Sequence, residues 1–296
     1  MAKVAIVTDG VNDLSEEMIK EYDISVVPYR VIFGDEIYRV WSRDRYTLST
    51  EDFVQKLTQC SKKNLPHTSL PSPGEFVQVF EEAFEKADSV IACLISQKLS
   101  GACQSATRVA ESRFPDKDIT VFDTAQTMAG TGILALEAAR MAKSGKTKEE
   151  ILNRLETLRD EVQFIMIIPD LEYFYLQGRI GRAKKLLGMA FNKIPIVNMK
   201  DGVINSVGSF SGKKHLVEQM KKFTQKVVKL AKTDDIFLSY VSLKDETDEI
   251  YETMKANGNG LTIHKYQSSS IIGVYTGFEV IALCYIGDWD KDWLLK

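Results

Sequence analysis

Short apolar runs recur through the first half of the chain, each followed by a stretch in which apolar residues return every three or four positions. Residues 3–9, 89–95 and 118–123 lack the alternation of a half-exposed strand and predict strands buried on both faces. The intervening stretches predict helices over 14–22, with Asp13 as a cap, over 50–60, capped by Thr50, and over 102–113, 127–143 and 147–161. Two of the helix starts carry the capping-box signature: Ser72 with Pro73 and Glu75, and Thr147 with Glu150. Residues 24–33 are β-rich and interrupted by Pro28, and 41–46 read as a charged loop. Strand, helix, strand, helix in this order predicts a Rossmann-like parallel sheet with helices on both faces, whose ligands bind at the carboxyl ends of the strands.

The pattern changes after residue 162. A strand over 164–168 and a helix from Asp170 to Leu176 precede the glycine-rich basic loop 177–182 and a helical stretch over 182–191. Residues 194–199 and 202–210 flank an Asp-Gly turn and predict a hairpin. A long lysine-rich helix over 212–232 follows, then a strand over 236–241, a helix over 245–255, a strand over 261–266, and two final apolar runs, 271–275 and 280–286, turning at Gly277. Hairpins mixed with helices predict an α+β domain with a mixed sheet, so the division is 1–162 and 163–296.

Composition narrows the function classes. A formal net charge of -3 gives no broad basic field for nucleic acid. No apolar run reaches membrane-spanning length and no secretory leader is legible at the start, so a soluble cytoplasmic protein is expected, without stable membrane insertion. The four cysteines have no CxxC or metal spacing, and the three histidines are far apart, so neither a metal nor a cofactor is expected.

The candidate chemistry lies in loops. Residues 65–76 hold three prolines, which stiffen the segment and push the residues before them toward extended geometry, around the hydroxyls of Thr68 and Ser69. Ser96 to Gly101 follows a predicted strand and opens a helix, where Ser100 suits either a cap or a donor to an anion. Thr8 and Asp9 end the first strand, and Asp123 ends the third. Gly130 and Gly132 lack a preceding strand and a third glycine, so they predict close helix packing rather than a dinucleotide site. No nucleophile elbow, P-loop or paired-carboxylate signature is present, and the residues alone support a small-molecule-binding α/β protein.

Taken together, the segment Thr68-Ser-Leu-Pro-Ser-Pro-Gly-Glu-Phe76, the segment Ile95-Ser-Gln-Lys-Leu-Ser-Gly101 with Gln104-Ser-Ala106, the opening Val7-Thr-Asp9 with Asp13-Leu14, the Gly178-Arg-Ile180 loop, and Ile194-Pro-Ile196 with Asp201-Gly202 resemble the bacterial DegV family over essentially the whole chain. The resemblance implies a non-catalytic lipid-binding protein of two domains with one long-chain fatty acid buried between them. Its carboxylate is implied to rest on Thr68 and Ser100, with Ser69 and Gly101 adjacent. Arg179, Ser96, Tyr275, Thr8 and Asp9 are implied as secondary head-group or partner contacts. Some members present the lipid to a separate fatty acid kinase. This sequence departs from the family where a histidine is usual, at Tyr275, where Pro-Gly is replaced by Phe278-Glu279, where an arginine is usual near Ser211, and at Gln177, Gln97 and Gly10-Val11. Two other readings stand beside it: a phosphotransferase or hydrolase using Asp9 and Asp123, and a binder of a different amphiphile adapted through Tyr275 and Phe278.

Overall fold

The computed structural model describes residues 3–40, 48–186 and 193–289. The expected loop 41–46 and the end of the helical stretch 182–191 lie outside them; within that stretch, Gly181–Leu186 is a 3-10 helix. The chain forms two compact units, Met1–Ser49 with Pro66–Asp160, and Thr50–Leu65 with Glu161–Lys296.

In the first unit the strands β1 (Val4–Asp9), β2 (Ser25–Val27), β6 (Ser89–Leu94) and β7 (Asp118–Asp123) form a parallel sheet in the order β2-β1-β6-β7. Every residue of β6 is buried, as its uninterrupted apolar run requires. Helices α1 (Glu16–Glu21), α3 (Pro73–Phe84), α4 (Ala102–Arg113), α5 (Ala129–Lys143) and α6 (Lys148–Glu161) complete the unit. On α3, Phe76 and Phe80 are fully buried, and Phe80 meets Phe114 edge to face. Gly132 of α5 allows a close approach to the loop after β1: a Cβ there would stand 1.9 Å from the Asn12 carbonyl oxygen. The expected close packing of the Gly-Thr-Gly segment is therefore present. Both capping boxes form as well. The Ser72 hydroxyl accepts from Glu75 N while Glu75 accepts from Ser72 N at 2.8 Å, and Thr147 and Glu150 make the same exchange. The cap of α1 is Ser15 rather than Asp13, whose left-handed backbone (φ 52°) places it in the preceding turn.

A second sheet in this unit is the one that positions the candidate site. It contains β3 (Tyr29–Phe33), β4 (Glu36–Val40) and β5 (His67–Ser69), antiparallel in the order β4-β3-β5. The stiff segment before Ser72 is thus a short strand, the extended geometry imposed by its prolines having found a partner.

The second unit has a mixed sheet. Its strands are β8 (Val162–Ile167), β9 (Lys193–Lys200), β10 (Val203–Ser211), β11 (Ala231–Tyr240), β12 (Thr262–Gln267) and β13 (Ile281–Gly287), in the order β10-β9-β8-β13-β11-β12. Only β11 and β12 pair in parallel. One face packs on α8 (Leu216–Val227) and α9 (Lys244–Asn257), through Met220, Phe223, Val227, Ile250 and Met254. Helix α10 (Ser270–Thr276) packs on both α2 (Thr50–Thr58) and α7 (Glu172–Leu176).

Three expectations are corrected here. The helix expected over 212–232 is a 3-10 turn, Lys213–His215, then α8, and the chain is already strand at Ala231. Its lysines favour helix throughout, but β11 has to begin there to pair with β13. Residues 271–275, expected as an apolar run leading to the turn at Gly277, are helical; a run this short fits strand or helix, and Ser269 in extended geometry starts the helix. Thr50 does not cap α2 but is its first residue, and its hydroxyl donates to the Ser268 carbonyl at 3.2 Å.

Candidate functional site

The register of β3 with β5 sets Thr68 opposite Val31 and Ser69 opposite Arg30. Directly opposed side chains share a face, and alternate residues of a strand do too, so Thr68 lies on the same face as Val31 and Tyr29. From that face the Tyr29 hydroxyl reaches the Ser100 hydroxyl at 2.8 Å. The sequence gives no sign of Tyr29; the pairing of β3 with β5 brings it in. The opposite face carries Arg30, which donates to Glu75 at 2.6 Å, with Arg39 at 3.8 Å from the same oxygen. Burial pushes the Glu75 carboxyl up, but its bonds to Ser72 N, the Ser72 hydroxyl and Arg30 outweigh this and hold it below the ordinary range.

Ser100 ends a loop that is tied from within. Its N–H and that of Leu99 donate to the Ser96 carbonyl, and Ser96 N–H donates to the Gln126 carbonyl at 2.8 Å. The Ser96 hydroxyl, fully buried, accepts from Lys98 N. The residue at the N-cap of α4 is Gly101, and the Ser100 hydroxyl accepts from Ala102 N at 3.3 Å, inside the first turn. A Cβ at Gly101 would meet Leu70 at 3.5 Å, so the two hydroxyl-bearing segments lie side by side. Ser69 donates its hydroxyl to the Leu70 carbonyl. Thr68 thus shares its face with Tyr29, whose hydroxyl meets Ser100 beside Gly101 at the opening of α4, while Ser69 lies on the opposite face with Arg30. The groups are neutral donors, and Ser100 sits where the dipole of α4 favours negative charge.

The strand-end residues play another part. The Thr8 hydroxyl donates to the Cys93 carbonyl at 2.9 Å. Asp9 is fully buried, with Oδ1 accepting from Val11 N at 2.9 Å and Oδ2 from Ile95 N at 2.8 Å. Burial raises its pKa from 3.8 to about 6, and the two backbone bonds pull against that rise. Asp123 accepts from Ala125 N and Gln97 N. These acids fasten loops to the ends of the parallel strands.

The raised Asp9 makes a prediction. Its folded value lies above its unfolded one, so the folded state binds the proton more tightly, and stability falls as pH rises from about 4 to about 6. Two such units of pH correspond to about 3 kcal/mol. The stability of the native protein relative to an Asp9→Asn variant should therefore drop by that order between pH 4 and pH 7 in urea titrations, with the other titrating groups cancelling in the difference. A flat difference would show that Asp9 stays ionised throughout.

In the second unit the Arg179 guanidinium lies over the Tyr275 ring, 5.5 Å from its centroid, and donates to the Gln177 carbonyl at 2.9 Å. Arg179 and Tyr275 are thus brought together, Tyr275 on α10 and Arg179 in the exposed turn after α7. Among the described residues no group of histidine, cysteine and acidic side chains could hold a metal ion, and no helix is long and apolar enough to cross a membrane.

A parallel-sheet unit with hydroxyls at a helix opening, joined to a mixed-sheet unit, is an architecture shared with solved structures. The chain superimposes with a TM-score of 0.86 on a fatty-acid-binding DegV family protein from Thermus thermophilus, at 28% identity, covering 97% of this chain and all of that one. It superimposes at 0.83, with 24% identity, on the DegV fatty acid binding protein of Bacillus subtilis. A DegV domain-containing protein of Caldanaerobacter subterraneus is 32% identical over 275 residues, 89% of this chain and 95% of the relative. The profile of the DegV family, described as uncharacterised proteins, matches residues 3–288. The chain belongs to the DegV family.

Proposed function

We propose that this protein binds one long-chain fatty acid and does not itself catalyse a reaction. The carboxylate is received by Thr68 and Ser100, with Ser69 and Gly101 adjacent and Tyr29 as a further donor. The observation that carries this reading is the Tyr29–Ser100 hydroxyl contact, on the face that Thr68 shares. Membership of a family with fatty-acid-binding relatives supports the ligand class. An acyl chain of ~15 methylenes gains roughly 12 kcal/mol gross on leaving water, at ~0.8 kcal/mol each, before the cost of association. The head group is the costly part, because a buried carboxylate needs hydrogen-bond donors. Clustered hydroxyls and the first amides of α4 supply them without a lysine or arginine.

Presentation of the bound acid to a fatty acid kinase is part of the proposal. Arg179 is stacked on Tyr275, the position at which this sequence departs from the histidine usual in the family, and in this reading it is the phosphoryl-facing group. A catalytic role for Asp9 finds less support, since both of its oxygens already accept backbone N–H groups.

The test is denaturing extraction of freshly purified protein followed by mass spectrometry. A long-chain fatty acid at about one equivalent is the expected outcome. An empty extract, or a metabolite without an acyl chain, overturns the ligand assignment.

A further inference from the structure

We propose that Tyr29 is a positioning residue that acts on the ligand through Ser100. Its phenol gives its proton to the Ser100 hydroxyl, which leaves Ser100 able only to donate to a ligand, so the site selects an ionised head group over a neutral one. The assignment rests on the fatty-acid reading of the site. Tyr29 is buried, 3% exposed, and its hydroxyl stands 2.8 Å from that of Ser100, a distance at which either oxygen can be the donor. The chemistry of the two groups sets the direction. A phenol is the more acidic hydroxyl and the better donor, and the oxygen of an aliphatic alcohol is the better acceptor.

A serine hydroxyl has one hydrogen to give and two lone pairs that accept. One lone pair of Ser100 takes the N–H of Ala102 at 3.3 Å. Ala102 is fully buried in the first turn of α4, where the helix supplies no acceptor for its amide, so this bond satisfies it. The second lone pair takes the phenol. Both accepting positions are then filled, and the hydrogen of Ser100 is the part of the group still to be used. In the reverse direction Ser100 would spend its hydrogen on Tyr29 and meet a carboxylate with a lone pair, which repels it.

Both oxygens are held in place. Tyr29 opens β3, and the next residue, Arg30, is tied to Glu75 at 2.6 Å on the other face of the strand. Across the sheet Tyr29 stands opposite Val40, which is fully buried. Ser100 closes a loop in which its own N–H and that of Leu99 converge on the Ser96 carbonyl. A fixed donor at a fixed distance keeps the Ser100 hydrogen from turning back toward the protein, so the donor is oriented before the ligand arrives. Hydrogen bonds in a chain polarise one another, which makes the Ser100 O–H a stronger donor than a lone serine. The consequence is selectivity for the head group. A carboxylate offers lone pairs alone and suits a group that can only donate. The hydroxyl of a fatty alcohol brings a hydrogen as well, for which Ser100 keeps no acceptor.

Dodecanoate and dodecanol, soluble stand-ins for longer chains, are offered to the delipidated full chain in competition with a fluorescent polyene fatty acid. The native protein should favour dodecanoate. Tyr29→Phe should weaken dodecanoate about fivefold, the worth of one net hydrogen bond, and leave dodecanol unchanged or tighter, because Ser100 regains a lone pair. A purely structural part for Tyr29 would weaken both probes alike, and that result overturns the proposal. Coupling is the second readout. On a Ser100→Ala background, Tyr29→Phe should cost nothing further, since the relay has lost its middle member. A double variant that loses the product of the two single losses would show the phenol binding the carboxylate directly, and the relay falls. Circular dichroism of each variant, unchanged from the native spectrum, verifies the fold. Native protein that takes up neither probe nor the polyene acid overturns the fatty-acid reading and the relay with it; the other two adverse results leave that reading standing.

Discussion

Replacing Thr68 and Ser100 together by alanine is expected to empty the protein of fatty acid while leaving it folded. Each hydroxyl removed takes away a hydrogen bond to a charged group, worth about 1.5–3 kcal/mol. Loss of two weakens binding by a factor on the order of 10² to 10⁴. Neither side chain contributes to the core: both are only partly buried, at the sheet edge and before α4. Thr68 lies in a strand of three residues whose backbone pairing does not depend on the hydroxyl. Ser100 does support Ala102 N, so a drop of a few degrees in melting temperature accompanies the loss. Extraction and mass spectrometry of the double variant measures the effect, with Tyr29→Phe as a graded third case that removes one hydroxyl and keeps the ring. Undiminished retention by the double variant would place the carboxylate elsewhere.

The second large effect is structural. Gly132→Ala places a methyl group 1.9 Å from the Asn12 carbonyl oxygen and 3.1 Å from Leu14. The first of these neighbours is backbone, and Asn12 is pinned further, its side chain donating to the Asp9 carbonyl and accepting from Leu14 N. Neither partner can step aside cheaply. The expected loss is at the upper end of overpacking penalties, about 3 kcal/mol, which at this unit's size lowers the melting temperature by roughly 10 °C. Gly130→Ala is the control. Its Cβ would meet Gln126 Cβ and Oε1, both at 3.0 Å, a tight side-chain contact rather than the 1.9 Å backbone clash at Gly132, and a smaller shift is expected. Calorimetry of the two variants side by side decides it; equal melting temperatures would refute the close-approach argument.

What the sequence shows directly is what depends on near neighbours. The apolar runs of β1 and β6 announce buried parallel strands because burial on both faces leaves no room for alternation; β7, expected to be buried in the same way, is the edge of the sheet, and Phe122 is its one buried residue. The boxes at Ser72 and Thr147 are legible because a cap is a contact across three residues. Thr68 and Ser100 carry visible hydroxyls in stiff or helix-opening segments. Tyr29 is different. Its role needs β3 to pair with β5 across an intervening helix and Ser100 to come within reach 71 residues later, and nothing local encodes either. The ambiguous pieces were ambiguous for physical reasons too. Five apolar residues before Gly277 suit a strand or a helix, and the lysines after His215 favour helix past the point where β11 takes over.

The grouping of Thr50–Leu65 with the later half of the chain has a bearing on biosynthesis. Phe53 is fully buried and fills the space that a side chain at Gly273 would take, so α2 has its partner only after more than two hundred further residues have been made. During translation the first unit can close around the gap, pairing β5 with β3, while α2 waits outside it with Phe53 and Leu57 uncovered. The nascent chain therefore carries a sticky apolar helix through most of its synthesis, and a gene cut after Asp160 would leave that helix permanently without cover. Neither unit can be obtained whole by cutting the chain once; recovering the first on its own requires a short bridge in place of residues 50–65.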